Sequence, residues 1–557
     1  MRGKVRFGLV AVSAVLLAGI FASVLAHARQ SDLRSVAVEG QNWSVYGGGP
    51  LNQHYSPLTQ INRENVKNLE VAWKFDSGET GGLQTSPLMV DGVLYGITPT
   101  QKIFAVNAGN GTLLWKFDSG IKGTQPDRGL AYWSDGKSAR ILAGVMNFVY
   151  ALDAATGSPI PTFGHEGRID LREGLGREPA EAQSIVLTSP VVVYKDLFVA
   201  GGRNPETLPA PPGNIRAFDI RTGKLRWEFH TIPHPGEYGY DTWPADAWKT
   251  SGAANNWAGM SLDAARGIVY VPTGSAAADF YGGDRVGSDL FANSLLAIDA
   301  NTGKRLWHFQ GVHHDIWDRD FPSPPVLLTV DRGGKAVDAV AQTSKQGFVF
   351  LFDRVTGAPL FPLETRKYPG STVPGEAVAT EQSLPTKPAP FARQMLTDQM
   401  LTTRTPEAHR FAAEKFAKFR SEGQFVPFSV GKETVVFPGF DGAAEWGGPA
   451  VDPQTGIIYI NSNEMAWTGA LAENNGSNSA RDLYLSQCGV CHGEKLAGSP
   501  PAIPSLVGVE QRLSPQEVAA TIHSGKGRMQ GFPNLSHDQI DALIEFLFRD
   551  GNKEIEA

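Results

Sequence analysis

The sequence predicts an all-β propeller followed by a small all-α domain. Three observations carry this. A short phrase recurs five times from about residue 105 to 363, the chain turns polar and Gly/Asn-rich after residue 465, and two capped helical patterns follow.

The recurring phrase reads VNAGNGTLLWKF, LDAATGSPIPTF, FDIRTGKLRWEF, IDANTGKRLWHF and FDRVTGAPLFPL. Each copy closes an apolar strand with Asp or Asn, turns through Gly and enters a second apolar run. The carboxylate or amide accepts hydrogen bonds from turn amides, and Gly supplies the position with φ > 0. Trp115, Trp227 and Trp307 stand four residues beyond their Gly, with area enough to seal one sheet against the next. Hairpin units of this kind stack as propeller blades rather than as an irregular sandwich. The spacing of the copies is uneven, so loops of different length join them. The propeller is expected over residues 36–465, a linker over 466–480 and the helical domain over 481–550. In the last, Ser514-Pro515-Gln516-Glu517 is a capping box with Pro in the first turn. Ser536 and Gln539 form another, and Ile540, Leu543, Ile544 and Leu547 line one helical face.

Composition narrows the function. With 557 residues, 19% of them charged, and 62 Gly, 37 Pro and 12 Trp, the chain is not a disordered one. A formal charge of −7 gives no basic footprint for nucleic acid. Arg2, Lys4 and Arg6 precede the apolar run 7–26, and AHA follows at 26–28. That is a signal segment over residues 1–28, and the run is also long enough to act as an anchor. Either way the remainder is expected in the periplasm. Two cysteines give an exported protein no disulfide framework.

Both cysteines lie in CGVCH, residues 488–492. Cys488 and Cys491 at this spacing can form thioethers to a haem, giving haem c, with His492 as an iron ligand. A zinc site would want further Cys or His at matching spacing, which the sequence lacks; a redox dithiol is the other alternative. Met529, in GKGRMQGFP, resembles the sixth-ligand methionine of class I c-type cytochromes. His523 competes with it, and a surface-facing helical histidine is the simpler role for that residue.

A haem domain joined to a propeller implies an electron source. From WSVYGGGPLNQHYSPLTQIN (43–62), through the repeats, to EWGGPAVDPQTG (445–456), the chain resembles the quinoprotein alcohol and sugar dehydrogenases that bind pyrroloquinoline quinone. The haem domain continues the likeness in quinohaemoprotein style. The resemblance implies a quinoprotein-type, eight-bladed propeller. It also implies a site with an aromatic floor, cations for the cofactor carboxylates, a Lewis acid for the quinone and a base for the substrate hydroxyl. Trp257 matches the floor, Lys345 the basic residue at the quinone oxygens, and Arg128 and Thr188 carboxylate contacts. Gln84 stands where some relatives have Glu, and Trp446 is expected near the site. For Ca²⁺, Glu206 lies at the family's offset after Thr188; Ser275 stands where many relatives have Asn, and Ser is a poorer oxygen ligand.

HHDIWD, 313–318, resembles the family's H-D-x-W-D element. Its last residue, Asp318, matches the catalytic base and can also touch the calcium. His313 and His314 point to opposite faces if the chain is extended, which favours structural hydrogen bonding over metal ligation. Asp315 is expected to fix the loop, Trp317 to pack, and Arg319 and Asp320 to pair at the surface.

One departure is that the haem domain ends soon before Ala557 and the repeats do not account for eight blades. The expectation is an incomplete propeller, left open or completed by a second polypeptide. The reading is a glucose-dehydrogenase-like enzyme oxidising a sugar or alcohol CH–OH, with electrons passing to the haem and on to a cytochrome or the quinone pool. The alternatives are a cofactor-free scaffold fused to an electron carrier, and a truncated remnant.

Overall fold

The repeated phrase builds the same turn each time. In the computed structural model, which describes residues 42–550 except 178–182, 474–478, 502, 528, 530 and 533–534, Asp153, Asp219, Asp299 and Asp353 each accept the amides two and three residues onward. Gly157, Gly223, Gly303 and Gly357 follow at φ between +72° and +74°, a region that costs other residues about 1–2 kcal/mol.

These turns join the outer strands of antiparallel sheets. The first sheet runs β1 (Leu88–Val90), β2 (Val93–Ile97), β3 (Ile103–Asn107), β4 (Leu113–Phe117), and the second β5 (Ala131–Ser134), β6 (Ala139–Val145), β7 (Phe148–Asp153), β8 (Arg168–Asp170). The third holds β9 (Val192–Tyr194), β10 (Leu197–Ala200), β11 (Ile215–Asp219) and β12 (Leu225–Phe229); the fourth holds β13 (Ser261–Asp263), β14 (Ile268–Pro272), β15 (Ser294–Asp299) and β16 (Arg305–Gln310). In each, strands pair in sequence order. A bulge recurs at Ala105/Val106, Ala217/Phe218 and Ala297/Ile298, where the third strand meets the fourth. It absorbs the extra residue that the Asp–Gly turn inserts.

The tryptophans dock one sheet on the next. The indole of Trp115 donates to Ala154 O (3.0 Å), that of Trp227 to Ala300 O (3.0 Å) and that of Trp307 to Arg354 O (3.2 Å). Each ring lies on the turn glycine of the following sheet: a Cβ on Gly157, Gly303 or Gly357 would come within 2.4, 2.7 or 2.6 Å of it. The LDAATGSPIPTF copy lacks Trp, and there Phe163 is buried while Ile169 packs against Gly223. Each indole thus buries a large apolar face and pairs its one donor.

Beyond β16 the pattern thins. A three-stranded sheet holds β17 (Val326–Asp331), β18 (Ala336–Thr343) and β19 (Val349–Asp353). Two-stranded sheets pair β20 (Leu363–Lys367) with β21 (Glu381–Pro385), β22 (Thr434–Val436) with β25 (Trp467–Gly469), and β23 (Ala450–Asp452) with β24 (Ile457–Tyr459). The described residues therefore form four full four-stranded blades rather than eight.

The described residues from Ala480 carry helices joined by loops. Helices span Ala480–Gln487, Gly489–His492, Pro515–Ser524 and His537–Glu545. Both expected capping boxes form, at Ser514/Glu517 and Ser536/Gln539. Tyr484, Cys488, Leu496, Val518, Ile522, Ile540 and Leu543 make a separate small core. No described helix is long and apolar enough to cross a membrane; the expected signal segment, 1–28, lies outside the described residues.

Candidate active site

The site draws one short segment from each successive sheet. Gln84, Thr188, Trp257 and Trp446 stand four residues ahead of the strands that begin at Leu88, Val192, Ser261 and Ala450, and Arg128 three ahead of Ala131. These are the loops that enter the first strand of a sheet. Equivalent positions in a radial array converge on one place.

Hydrogen bonds link the segments in order. Ser86 N–H donates to Arg128 O (3.0 Å), and Arg128 donates to Thr188 O from its backbone (3.1 Å) and from Nη1 (3.0 Å). Thr188 Oγ1 and Ser189 Oγ both donate to Trp257 O (3.2 and 2.7 Å). The Trp257 indole donates to Asp320 Oδ2 (2.7 Å). Lys345 Nζ lies 2.7 Å from Asp318 Oδ1 and 3.8 Å from Asp320 Oδ2. The Arg128 guanidinium carbon is 5.1 Å from the Trp257 ring and 5.3 Å from the Trp446 ring, and Lys345 Nζ is 5.9 Å from Trp257. The structure thus brings together Arg128, Thr188, Trp257, Asp318, Lys345 and Trp446. Gln84 is half-buried and makes no side-chain hydrogen bond among the described residues; only its loop reaches the site, through Ser86.

One sequence expectation is corrected. Arg319 and Asp320 do not pair at the surface: both are buried, at 2% and 6% exposure. Arg319 donates from Nη1 to Pro438 O (2.7 Å). Asp320 accepts from Trp257 and, at Oδ1, from Ser275 N–H (2.7 Å) and Ser275 Oγ (2.9 Å). An adjacent Arg–Asp pair reads as a surface ion pair until neighbouring segments remove both from water. His314, Asp315 and Trp317 hold the structural places expected of them, although the chain at His314 is not extended, with φ +47°. His314 is fully buried with Nδ1 2.8 Å from Gly287 O, and burial pushes its pKa down to about 4. The backbone of His313 exchanges hydrogen bonds with Gln382. Asp315 accepts the Trp317 and Arg319 amides, and Trp317 packs while donating to Val426 O.

The electrostatics follow from crowding. Burial lifts the Asp318 carboxyl well above the ordinary range; Lys345 pulls against the rise, and Asp320 and Glu206 add to it. Burial disfavours the Lys345 ammonium, but Asp318, Asp320 and Glu445 outweigh that and hold its pKa high. Asp279, which the sequence reading missed because SAAADF carries no motif, is 5% exposed. Its carboxyl is raised by burial and then by Glu206, Asp318 and Asp320. Arg128 is pushed down to about 10 by burial, and its Nε has no hydrogen-bond partner among the described residues. A buried guanidinium with an unused N–H, flanked by two indoles, fits a flat anionic ligand.

Calcium fits the charge of this region but not the arrangement of its oxygens. Glu206 is engaged with Arg203 Nη2 (3.1 Å). Ser275 Oγ lies between Asp315 Oδ2 (2.6 Å) and Asp320 Oδ1 (2.9 Å). No three His, Cys, Asp or Glu side chains among the described residues converge as metal ligands.

In the helical unit, His492 is buried with Nδ1 3.0 Å from Pro504 O, which turns its Nε2 to other use. Cys488 is buried and Cys491 exposed, both free thiols. Met529 packs against the core that contains Cys488, whereas His523 is exposed.

Comparison with known proteins places residues 43–516 in the PQQ family model described as glucose/ethanol/alcohol dehydrogenase, beta-propeller domain. The glycerol dehydrogenase large subunit of Gluconobacter oxydans (strain 621H) is 30% identical over 459 residues, 77% of this chain and 61% of its own. Quinoprotein glucose dehydrogenase A of Acinetobacter calcoaceticus is 30% identical over 526 residues, 84% of this chain and 64% of its own. The chain thus spans less than two thirds of the length of these relatives. The structure of quinohemoprotein alcohol dehydrogenase from Comamonas testosteroni superposes with a TM-score of 0.58 at 24% identity, covering 77% of this chain and 58% of that one, a likeness of fold.

Proposed function

Because this chain belongs to the PQQ-type glucose/ethanol/alcohol dehydrogenase β-propeller family, we propose that it oxidises a sugar or alcohol CH–OH group to a carbonyl at the Asp318–Lys345 cluster. The observation that carries the reading is the 2.7 Å contact between the buried Lys345 Nζ and the half-buried Asp318, beside Trp257 and Arg128. When bound, pyrroloquinoline quinone supplies the two-electron acceptor. Trp257 offers it a floor and Arg128 and Thr188 polar contacts, with Trp446 across the guanidinium. Asp318 takes the substrate hydroxyl proton at a carboxylate oxygen; its raised pKa makes it a stronger base than a solvated carboxylate. Lys345 keeps a positive charge beside it, which holds Asp318 ionised and can pair with a quinone oxygen. Asp320 fixes the Trp257 ring through the indole N–H, and Ser275 orients Asp320.

Calcium belongs to the proposal only as a cation for the neighbouring acids Glu206, Asp279 and Asp318, of which Asp279 alone is fully buried, and no step depends on it. Haem c belongs to it on the donor set: Cys488 and Cys491 for thioethers, His492 and Met529 for the iron. The His492 Nδ1 contact with Pro504 O supports that role, because an imidazole that donates through Nδ1 presents Nε2 as a ligand. Electrons leaving the haem would pass to a cytochrome or the quinone pool, in keeping with a periplasmic or membrane-associated family.

The test is to express the full chain with haem maturation, add pyrroloquinoline quinone and Ca²⁺, and follow reduction of the haem and of an added dye with aldoses, glycerol and primary alcohols. Oxidation of at least one is expected. Soluble, haem-loaded protein that binds the quinone yet oxidises none would leave the scaffold reading in its place.

A further inference from the structure

We infer that Gln125 is a positioning residue that seats the Met529 loop of the helical unit on the Glu206 side of the active site; the inference rests on the haem reading above. Gln125 is 4% exposed and uses both ends of its amide. Nε2 donates to Met529 O (2.9 Å), and Oε1 accepts from Arg203 Nη1 (2.7 Å). Arg203 Nη2 in turn lies 3.1 Å from Glu206 Oε1. One unbroken line of polar contacts therefore runs from Glu206 to the backbone of the proposed iron ligand.

Neighbouring contacts hold the same seam. Thr124 Oγ1 donates to Ser524 O (3.3 Å), and the Gly527 amide donates to Thr124 O (2.5 Å). Gln101 Nε2 donates to Gln125 O (2.9 Å) and pins the propeller loop from behind. The fit is close: a Cβ on Gly525 would stand 2.5 Å from Gln125 Nε2. A neutral amide of this length can accept from a guanidinium and donate to a carbonyl at once, whereas a carboxylate would repel Met529 O.

The seam matters because of what must cross it. A CH–OH group loses two electrons and two protons in becoming a carbonyl. With quinone and haem bound, the two electrons would leave the site singly, each reducing a ferric haem iron that added ferricyanide would reoxidise, while the two protons would pass through Asp318 to water. A displaced helical unit lengthens that transfer without touching substrate oxidation.

The experiment compares the full haem- and quinone-loaded chain with Gln125→Leu and Gln125→Glu, using whichever of glucose or glycerol the chain oxidises. If it oxidises neither, hydrogen exchange of the Gly527 amide decides alone. Losing the Met529 hydrogen bond is expected to cut the docked fraction about tenfold. Haem reduction on mixing and Gly527 protection should fall together by that factor in both variants, while direct reduction of phenazine methosulfate stays unchanged. Wild-type haem reduction and protection in Gln125→Leu would overturn the inference, as would a loss confined to Leu, since Glu keeps the Arg203 contact. Wild-type chain that takes up no haem would defeat the haem reading, and Gly527 protection would still decide the docking.

Discussion

Asp318 has a backbone φ of +55°, a conformation that costs a residue with a side chain of order 1 kcal/mol or more and persists where surroundings over-determine it. Here the surroundings are Lys345 at 2.7 Å and the buried loop that Asp315 ties together. The effect is to aim one carboxylate of the stretch at the lysine and leave the next, Asp320, to the Trp257 indole. A direct consequence concerns pH. A base whose pKa is raised is protonated over more of the acid range, so turnover should climb as pH rises through that pKa. Lys345 lowers the pKa, so Lys345→Met should move the rising limb to higher pH. Asp318→Asn should reduce kcat about 10²–10⁴-fold and abolish the limb. A pH–rate profile of the three forms checks this; an unshifted limb in Lys345→Met would mean that the pair is not coupled in turnover.

At the scale of the element, the turn glycines serve two needs at once. Gly303 has φ +74°, and a Cβ there would lie 2.7 Å from the Trp227 ring; Gly136 has φ +79° with nothing within 4 Å. Gly136→Ala should therefore lose only the conformational preference, about 1–2 kcal/mol. Gly303→Ala should lose that and disturb the docked indole, about 1–3 kcal/mol more. Denaturant midpoints of the two variants measure the difference, and equal losses would show that the Trp docking adds nothing there. The seam was legible in the sequence because turn, glycine and Trp sit within ten residues of one another. The LDAATGSPIPTF copy was less so, since Phe163 and Ile169 replace Trp from positions the phrase does not mark.

For the molecule as a whole, the segment Val71–Phe75 stands apart. VAWKF matches the fourth-strand pattern of LLWKF, and Trp73 docks as the others do, donating to Ala108 O (3.1 Å) with its ring against Gly111. Yet the segment belongs to no sheet among the described residues, and Leu69 and Val71 are 59% and 72% exposed. It has the place of an outer strand without the three inner strands of its blade, an edge open to pairing. Strands from a further polypeptide segment, the completion expected from the sequence, would pair with that edge. In the isolated chain the amides of Ala72 and Lys74 should exchange far faster than those of Leu114 and Lys116 in β4. Equal protection would remove the need for such a partner.

What the sequence by itself determined is whatever short-range chemistry decides: Asp–Gly turns, capping boxes and the CGVCH spacing. Each depends on atoms within about one turn of the chain, so residue order suffices. The entry-loop residues Arg128, Thr188, Trp257 and Trp446 were legible only through the family resemblance; the structure sets them three or four residues ahead of strands in different sheets. Only the tertiary structure decided which charges lose their water. Asp320 and Arg319 looked like a surface pair and are buried; Asp279 carried no signal and joins the acidic cluster; Gln125 and Met529, four hundred positions apart, share a hydrogen bond. Burial and electrostatic coupling depend on every segment packed around a group, and those segments come from sheets that adjacency in sequence does not connect.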